Sequence, residues 1–377
     1  MPYGLRDVRA TAAHGRPRIA IAALILAVAT LAATYQAATT AAAPGTARLS
    51  LAKQVGQVII AGYRGQTPPA RLLRAIRLGQ VGAVILMGDN TRAGIRATKA
   101  ATARMQAAAR SGGNAGLLIM TDQEGGQVKR FNGPPAFPAI AMANPATAYS
   151  QGRATGALLR SAGVNVDLAP VADVIRVKGF IQQEGRSFGS SPAVVANAAC
   201  RFAAGLAEAG VAYTLKHFPG LGDAVATTDV KPVSVTESAA QLYQDDAAYR
   251  RCGHGPLALV MISSASYPRL TGKLPAVLTA KTYAQVLPLN RVTALPITDS
   301  FESGAINAFA ARGPAKTAIN AGVDMVMYAA DQSVALSAST ILVADARTGA
   351  LSRARVRAAS ARVLALKQQL GLVTGAG

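Results

Sequence analysis

Eight short apolar, β-branched runs recur along the chain, with room for a helix between successive ones. They are VGQVIIAG (55–62), VGAVILMG (81–88), GLLIMTDQE (116–124), VNVDLAP (164–170), AYTLKHFP (212–219), LALVMISSA (257–265), LPITDS (295–300) and VDMVMYA (323–329). Near-continuous apolar strands are buried on both faces, as parallel strands covered by helices must be. The stretches between them, notably 147–161, 192–209, 237–251 and 303–321, are Ala-rich with helical spacing. Eight strand–helix units predict a single α/β domain, a closed (β/α)8 barrel of the TIM type. An open doubly wound sheet would want a glycine-rich fingerprint after the first strand, which YRGQTPP at 63–69 does not supply. A basic amphipathic helix within LSRARVRAASARVLALKQQLGL follows the eighth run and closes the ring.

The first fifty residues obey different rules. Arg6, Arg9, Arg16 and Arg18 form a positive region opposed only by Asp7, and IAIAALILAVATLAAT (19–34) follows without a charge. Small residues then lead to Pro44. This is the pattern of a secretory signal, or of an uncleaved membrane anchor near the lower length limit for a span. Residues 1–43 are therefore assigned to signal or anchor and 44–377 to the barrel, which places the mature chain outside the cytoplasm. In that setting Cys200 and Cys252 can form one disulfide or stay as two buried thiols.

The formal charge of +21 raises the question of nucleic acid, but Lys and Arg are scattered, aromatics are sparse and Trp is absent. Attraction to anionic cell-wall polymers or membrane surfaces fits the charge better, and no nucleic-acid partner is expected. No Cys or His pair has metal-ligand spacing, and no P-loop, dinucleotide fingerprint or GxSxG elbow occurs, so neither metal nor cofactor is expected. Oligomeric state is not encoded in any feature of this kind.

Barrel sites form where strands end at their carboxyl face. There the third run brings Asp122, the fifth Lys216 and His217, the sixth Ser263 and Ser264, and the seventh Asp299, while Asp173 follows the fourth. Any one of them alone reads as a helix cap or a satisfied core polar group. Together on one rim they point to a site.

The segments IMTDQEGGQVKRF (119–131), GVNVDLAPVADV (163–174), GRSFGSSPAVVA (185–196), YTLKHFPGLG (213–222), PITDSFESGAI (296–306) and AGVDMVMY (321–328) resemble glycoside hydrolase family 3, in its single-domain β-N-acetylglucosaminidase branch. They run in the family's order across nearly the whole mature chain. The resemblance implies that Asp122, Arg186, Lys216 and His217 grip the terminal sugar, and that Asp299 is a nucleophile forming a covalent glycosyl-enzyme. It implies a retaining hydrolase that removes terminal β-linked N-acetylhexosamine from cell-wall or other glycans. An ion pair between Arg186 and Asp122 beneath the site is also compatible with these residues.

The chain departs from the family at the second catalytic group. Members of this branch carry, after KHFPG, a loop in which an Asp-Ser-His triplet supplies an acid/base histidine; here the loop reads LGDAVATTDV and the triplet is Thr227-Thr228-Asp229. Where relatives often have histidine on strand six, this chain has Ser264. His14, His217 and His254 are the only histidines, and none is in the loop. Three readings follow: Asp229, or less directly Asp223, is the general acid/base; the acid/base is missing and only good leaving groups react; or the protein binds sugar at the cell envelope without turning it over.

Overall fold

The structure, a computed structural model, describes residues 49–373; the proposed signal or anchor segment lies outside them. Eight parallel strands close into a barrel: β1 (Ile59–Ala61), β2 (Ala83–Leu86), β3 (Leu118–Thr121), β4 (Val166–Asp167), β5 (Ala212–Phe218), β6 (Ala258–Ile262), β7 (Leu295–Ser300) and β8 (Met325–Tyr328). Each pairs with its sequence neighbour, and β1 closes on β8 with Ile59 opposite Val326. The expected single (β/α)8 architecture is the one adopted.

Beneath the continuous apolar runs lies a period of two. Ile60, Ile85, Leu118, Met120, Leu259, Met261, Ile297 and Met327 fill the barrel interior. Their alternates Ile59, Val84, Leu86, Ile119, Val260, Ile262 and Val326 pack outward under the helices. Val363 and Leu366 of the C-terminal helix Arg353–Gln369 join the interior cluster, so this helix closes the ring as its composition predicts.

Boundaries depart from the sequence expectations where local chemistry intervenes. The first run is half helix: Leu51–Gln57 is capped by Ser50 and buries Val55, Gly56 and Gln57, leaving three residues for β1. A short buried helical face and a buried strand look alike in so few residues. The expected helix at 303–321 is broken into Gly304–Asn307, a 3-10 turn at Ala310–Arg312, and Pro314–Ala321, with Pro314 starting the last piece. That at 237–251 is interrupted at Asp246. Cys200 and Cys252, on helices either side of β5, are joined in a disulfide with Cα atoms 5.7 Å apart. Among the described residues no helix is long and apolar enough to cross a membrane.

Candidate active site

At the carboxyl ends of the strands lies a cavity of about 300 Å³, lined by Asp122, Arg130, Arg186, Lys216, His217, Asp229 and Asp299 together with apolar residues of the barrel mouth. Its floor is an ionic lattice. Lys216, buried on β5, donates through Nζ to Asp122 Oδ1 at 2.8 Å and lies 2.6 Å from Glu124 Oε1. Arg186 grips Glu124 in bidentate fashion, Nε to Oε2 and Nη2 to Oε1 both at 2.8 Å, and Arg130 stands 3.5 Å from Asp122. Arg186 is thus paired with Glu124, not with Asp122 as the sequence suggested. Gly125 and Gly126, both at positive φ, turn the chain into the hairpin between Gln123–Gly125 and Val128–Lys129, which carries Glu124 back under the pocket.

Buried charges survive only when matched, and here they are. Burial works to raise the Asp122 and Glu124 carboxyls, but Lys216 with Arg130 or Arg186 more than reverses it. Asp122 ends below its ordinary value and Glu124 at about 2. Burial likewise opposes the Lys216 charge, and Asp122 and Glu124 restore it, so its pKa lies above the ordinary lysine value. Asp167, fully buried at the end of β4, is different: burial pushes it up to about 8, its Oδ1 accepts from Gln123 N–H at 3.0 Å, and its Oδ2 has no partner. Burial therefore favours its neutral form.

His217 is held from behind. Its Nδ1 lies 2.8 Å from Asp173 Oδ2, while Asp173 Oδ1 accepts from the His217 and Leu221 backbone N–H groups at 3.1 and 2.9 Å. This fixes the ring with Nε2 free for other contacts.

Asp299, partly buried at the end of β7, accepts from Ser300 N–H at 2.7 Å. Burial raises its pKa; His217 pulls it down and the nearby Asp229 charge adds to the rise. Asp229 sits on the loop after β5. Thr227 Oγ1 donates to its Oδ2 at 3.1 Å and accepts from its N–H at 3.2 Å, so a hydroxyl supports the carboxylate. The loop docks on the turn after β7: Gly304 N–H donates to Asp229 O at 2.7 Å and Ala305 N–H to Thr228 O at 3.1 Å. A Cβ at residue 304 would stand 2.0 Å from Val230 O, so only glycine fits.

Asp223 is not among the residues lining the cavity; its Oδ2 lies 3.3 Å from Thr236 N. Ser264 is buried with an unpartnered hydroxyl and does not line the cavity either. Sequence reasoning missed Glu124, Arg130 and Asp167 as site components and left Asp173 without a role, although all four stand inside the motifs quoted above. The signal was there in spacing: Glu124 lies two residues beyond Asp122.

The family model described as the glycosyl hydrolase family 3 N-terminal domain matches residues 50–366. A protein described as an uncharacterized secreted glycosyl hydrolase of Arthroderma benhamiae is 33% identical over 341 residues, covering 87% of this chain and 96% of its own length. A β-hexosaminidase of Xanthomonas campestris pv. campestris is 30% identical over 270 residues, covering 68% of this chain and 80% of its own. The crystal structure of a β-N-acetylhexosaminidase from Beutenbergia cavernae superposes with a TM-score of 0.78 at 32% identity, covering 85% of this chain and 99% of that one. With a matched barrel of this extent, the chain belongs to glycosyl hydrolase family 3 and is a glycosidase acting on carbohydrate.

Proposed function

We propose that this glycosidase removes terminal β-linked N-acetylhexosamine with retention, using Asp299 as nucleophile and Asp229 as general acid/base. The observation that carries the reading is that Asp299 and Asp229 line one cavity and act electrostatically on each other above the Asp122–Lys216–Glu124–Arg186 lattice. Such a pair of carboxyl groups on either side of a glycosidic bond is what a two-step displacement requires. Asp122, Lys216, Arg186 and His217 present charged and neutral donors and acceptors to the sugar hydroxyls. Asp299 attacks the anomeric carbon as Asp229 gives its proton to the departing oxygen. Asp229 then takes a proton from water, which attacks the same carbon and frees Asp299.

The similarity to β-hexosaminidases supports the N-acetylhexosaminide. The basic, apolar N-terminal pattern and the secreted description of the Arthroderma relative support export, with glycans of the cell envelope or surroundings as substrate. Asp299→Asn should lower kcat on an aryl β-N-acetylglucosaminide by several orders of magnitude with the fold unchanged by circular dichroism. The wild type should accumulate a sugar adduct on Asp299 with a slow fluorosugar. Near-normal turnover by the variant would refute the assignment, and glycan binding with neither turnover nor adduct would favour a sugar-binding protein.

A further inference from the structure

Gln123 stands between the two floor acids, Asp122 and Glu124, and is fully buried without being among the residues that line the cavity. Its side chain turns onto the segment that follows the hairpin. The main-chain ladder of that hairpin pairs Gly125 with Val128 and Gln123 with Lys129. Immediately beyond Lys129 the Gln123 carboxamide takes over as the ladder partner. Its Oε1 accepts from the N–H groups of Arg130 and Phe131 at 2.9 and 3.0 Å, and its Nε2 donates to the carbonyl oxygens of Phe131 and Pro134 at 3.0 and 2.7 Å. Two donors and two acceptor positions exhaust what an amide can offer. The backbone from which this side chain springs is fixed as well, by the bond from Gln123 N–H to Asp167 Oδ1.

Arg130 is the charged residue that this clamp places. Its N–H is held by Gln123, and its carbonyl oxygen accepts from the hydroxyl of the buried Thr91 at 2.6 Å, so both peptide groups beside its Cα are fixed. The guanidinium is not locked by strong bonds of its own. Its Nη2 is 3.5 Å from Asp122 Oδ2, longer than a good hydrogen bond, and its Nε has no partner. Yet Arg130 lines the cavity and helps to keep the Asp122 carboxyl ionised. Where its charge sits is therefore set by its main chain.

We infer that Gln123 is a positioning residue for sugar binding: it acts through Arg130, whose guanidinium it holds beside Asp122 at the cavity wall. This rests on the reading that the sugar occupies this cavity, and the test separates the two. Gln123→Met keeps the length of the side chain and removes its four bonds. On an aryl β-N-acetylglucosaminide it should raise KM, and the Ki of N-acetylglucosamine as product, by about tenfold, which is what one lost charge-assisted contact amounts to. The value of kcat should stay within a few fold, as for a group that grips substrate and transition state alike. Arg130→Met should do at least as much. In the Arg130→Met background, Gln123→Met should add less than about twofold, because the two substitutions remove one effect. Thr91→Val loosens the same peptide from its other side with less damage to the core, and should show a smaller KM rise that also vanishes without Arg130. It carries the same cycle if Gln123→Met does not fold by circular dichroism. Equal factors with and without Arg130, an unchanged KM in the folded variants, or a loss confined to kcat would overturn the inference alone. A wild type without turnover or sugar adduct would overturn it together with the proposed function.

Discussion

Glu124→Gln tests the ionic floor of the site. Glu124 has 2% of its side chain exposed and is the only anion shared by Lys216 and Arg186 in the lattice described. Its carboxyl falls from an ordinary 4.5 to about 2, a difference equivalent to about 3 kcal/mol of stability. A carboxyl lowered on folding stabilises the native state above its unfolded pKa, and that contribution is lost as pH drops from about 4.5 towards 2. Gln keeps the shape but not the charge. Its amide keeps one acceptor but sets an NH2 donor against a cation and removes the charge, so the cost should be about 3–5 kcal/mol, the usual price of leaving a buried charge uncompensated. Urea unfolding at pH 7 should show that loss. Between pH 5 and 3 the variant should lose stability less steeply than the wild type, because this proton uptake is gone. With Arg186 and Lys216 displaced, kcat/KM on the aryl glycoside should fall about a hundredfold, as small misplacements of substrate-gripping groups do. A stability change under about 1 kcal/mol with kcat/KM within a few fold of wild type would refute the account.

Asp229→Ala should slow substrates with poor leaving groups by about 10²–10⁴-fold and activated ones far less, with azide restoring part of the loss; Asp223→Ala should do neither. Asp229→Asn should move the acidic limb of kcat on an activated substrate to lower pH, since a negative charge that raises Asp299 is removed; an unmoved limb would count against their coupling. Replacing Cys200 and Cys252 by Ser should lower stability by up to about 4 kcal/mol, the chain-entropy value for a bridge over 52 residues, read by chemical denaturation. Lys367, fully buried with Gln57 Oε1 2.7 Å from its Nζ, is lowered by burial to about 7. Wild-type stability should therefore rise with pH between about 7 and 10.5, where the unfolded chain alone holds that proton. Lys367→Met should abolish this slope and gain about 1–3 kcal/mol at pH 7 after the orphaned Gln57 oxygen is counted.

The barrel was readable because parallel strands buried on both sides announce themselves as apolar runs, and because Asp122, Lys216, His217 and Asp299 stand at their polar ends. The partner choices were not readable. Glu124 looks like a solvated hairpin acid until Arg186, 62 positions away, closes on it, and Asp167 resembles any strand-end carboxylate until its burial is seen. Val55 and Gln57 misled for a simpler reason: three buried residues do not reveal a helical period.

The seat of the Asp229 loop is cut into the turn that follows the strand of Asp299, and it is made of main chain. Gly304 and Ala305 offer N–H groups, and Asp229 and Thr228 answer with carbonyl oxygens. Docking of this kind requires glycine at 304 but takes nothing from the side chain at 229. The side chain proposed to handle the proton can therefore change without any alteration to the way the loop is held. The same joint ties the loop that bears Asp229 to the turn that follows Asp299, so the spacing of the two proposed groups is set by main-chain contacts.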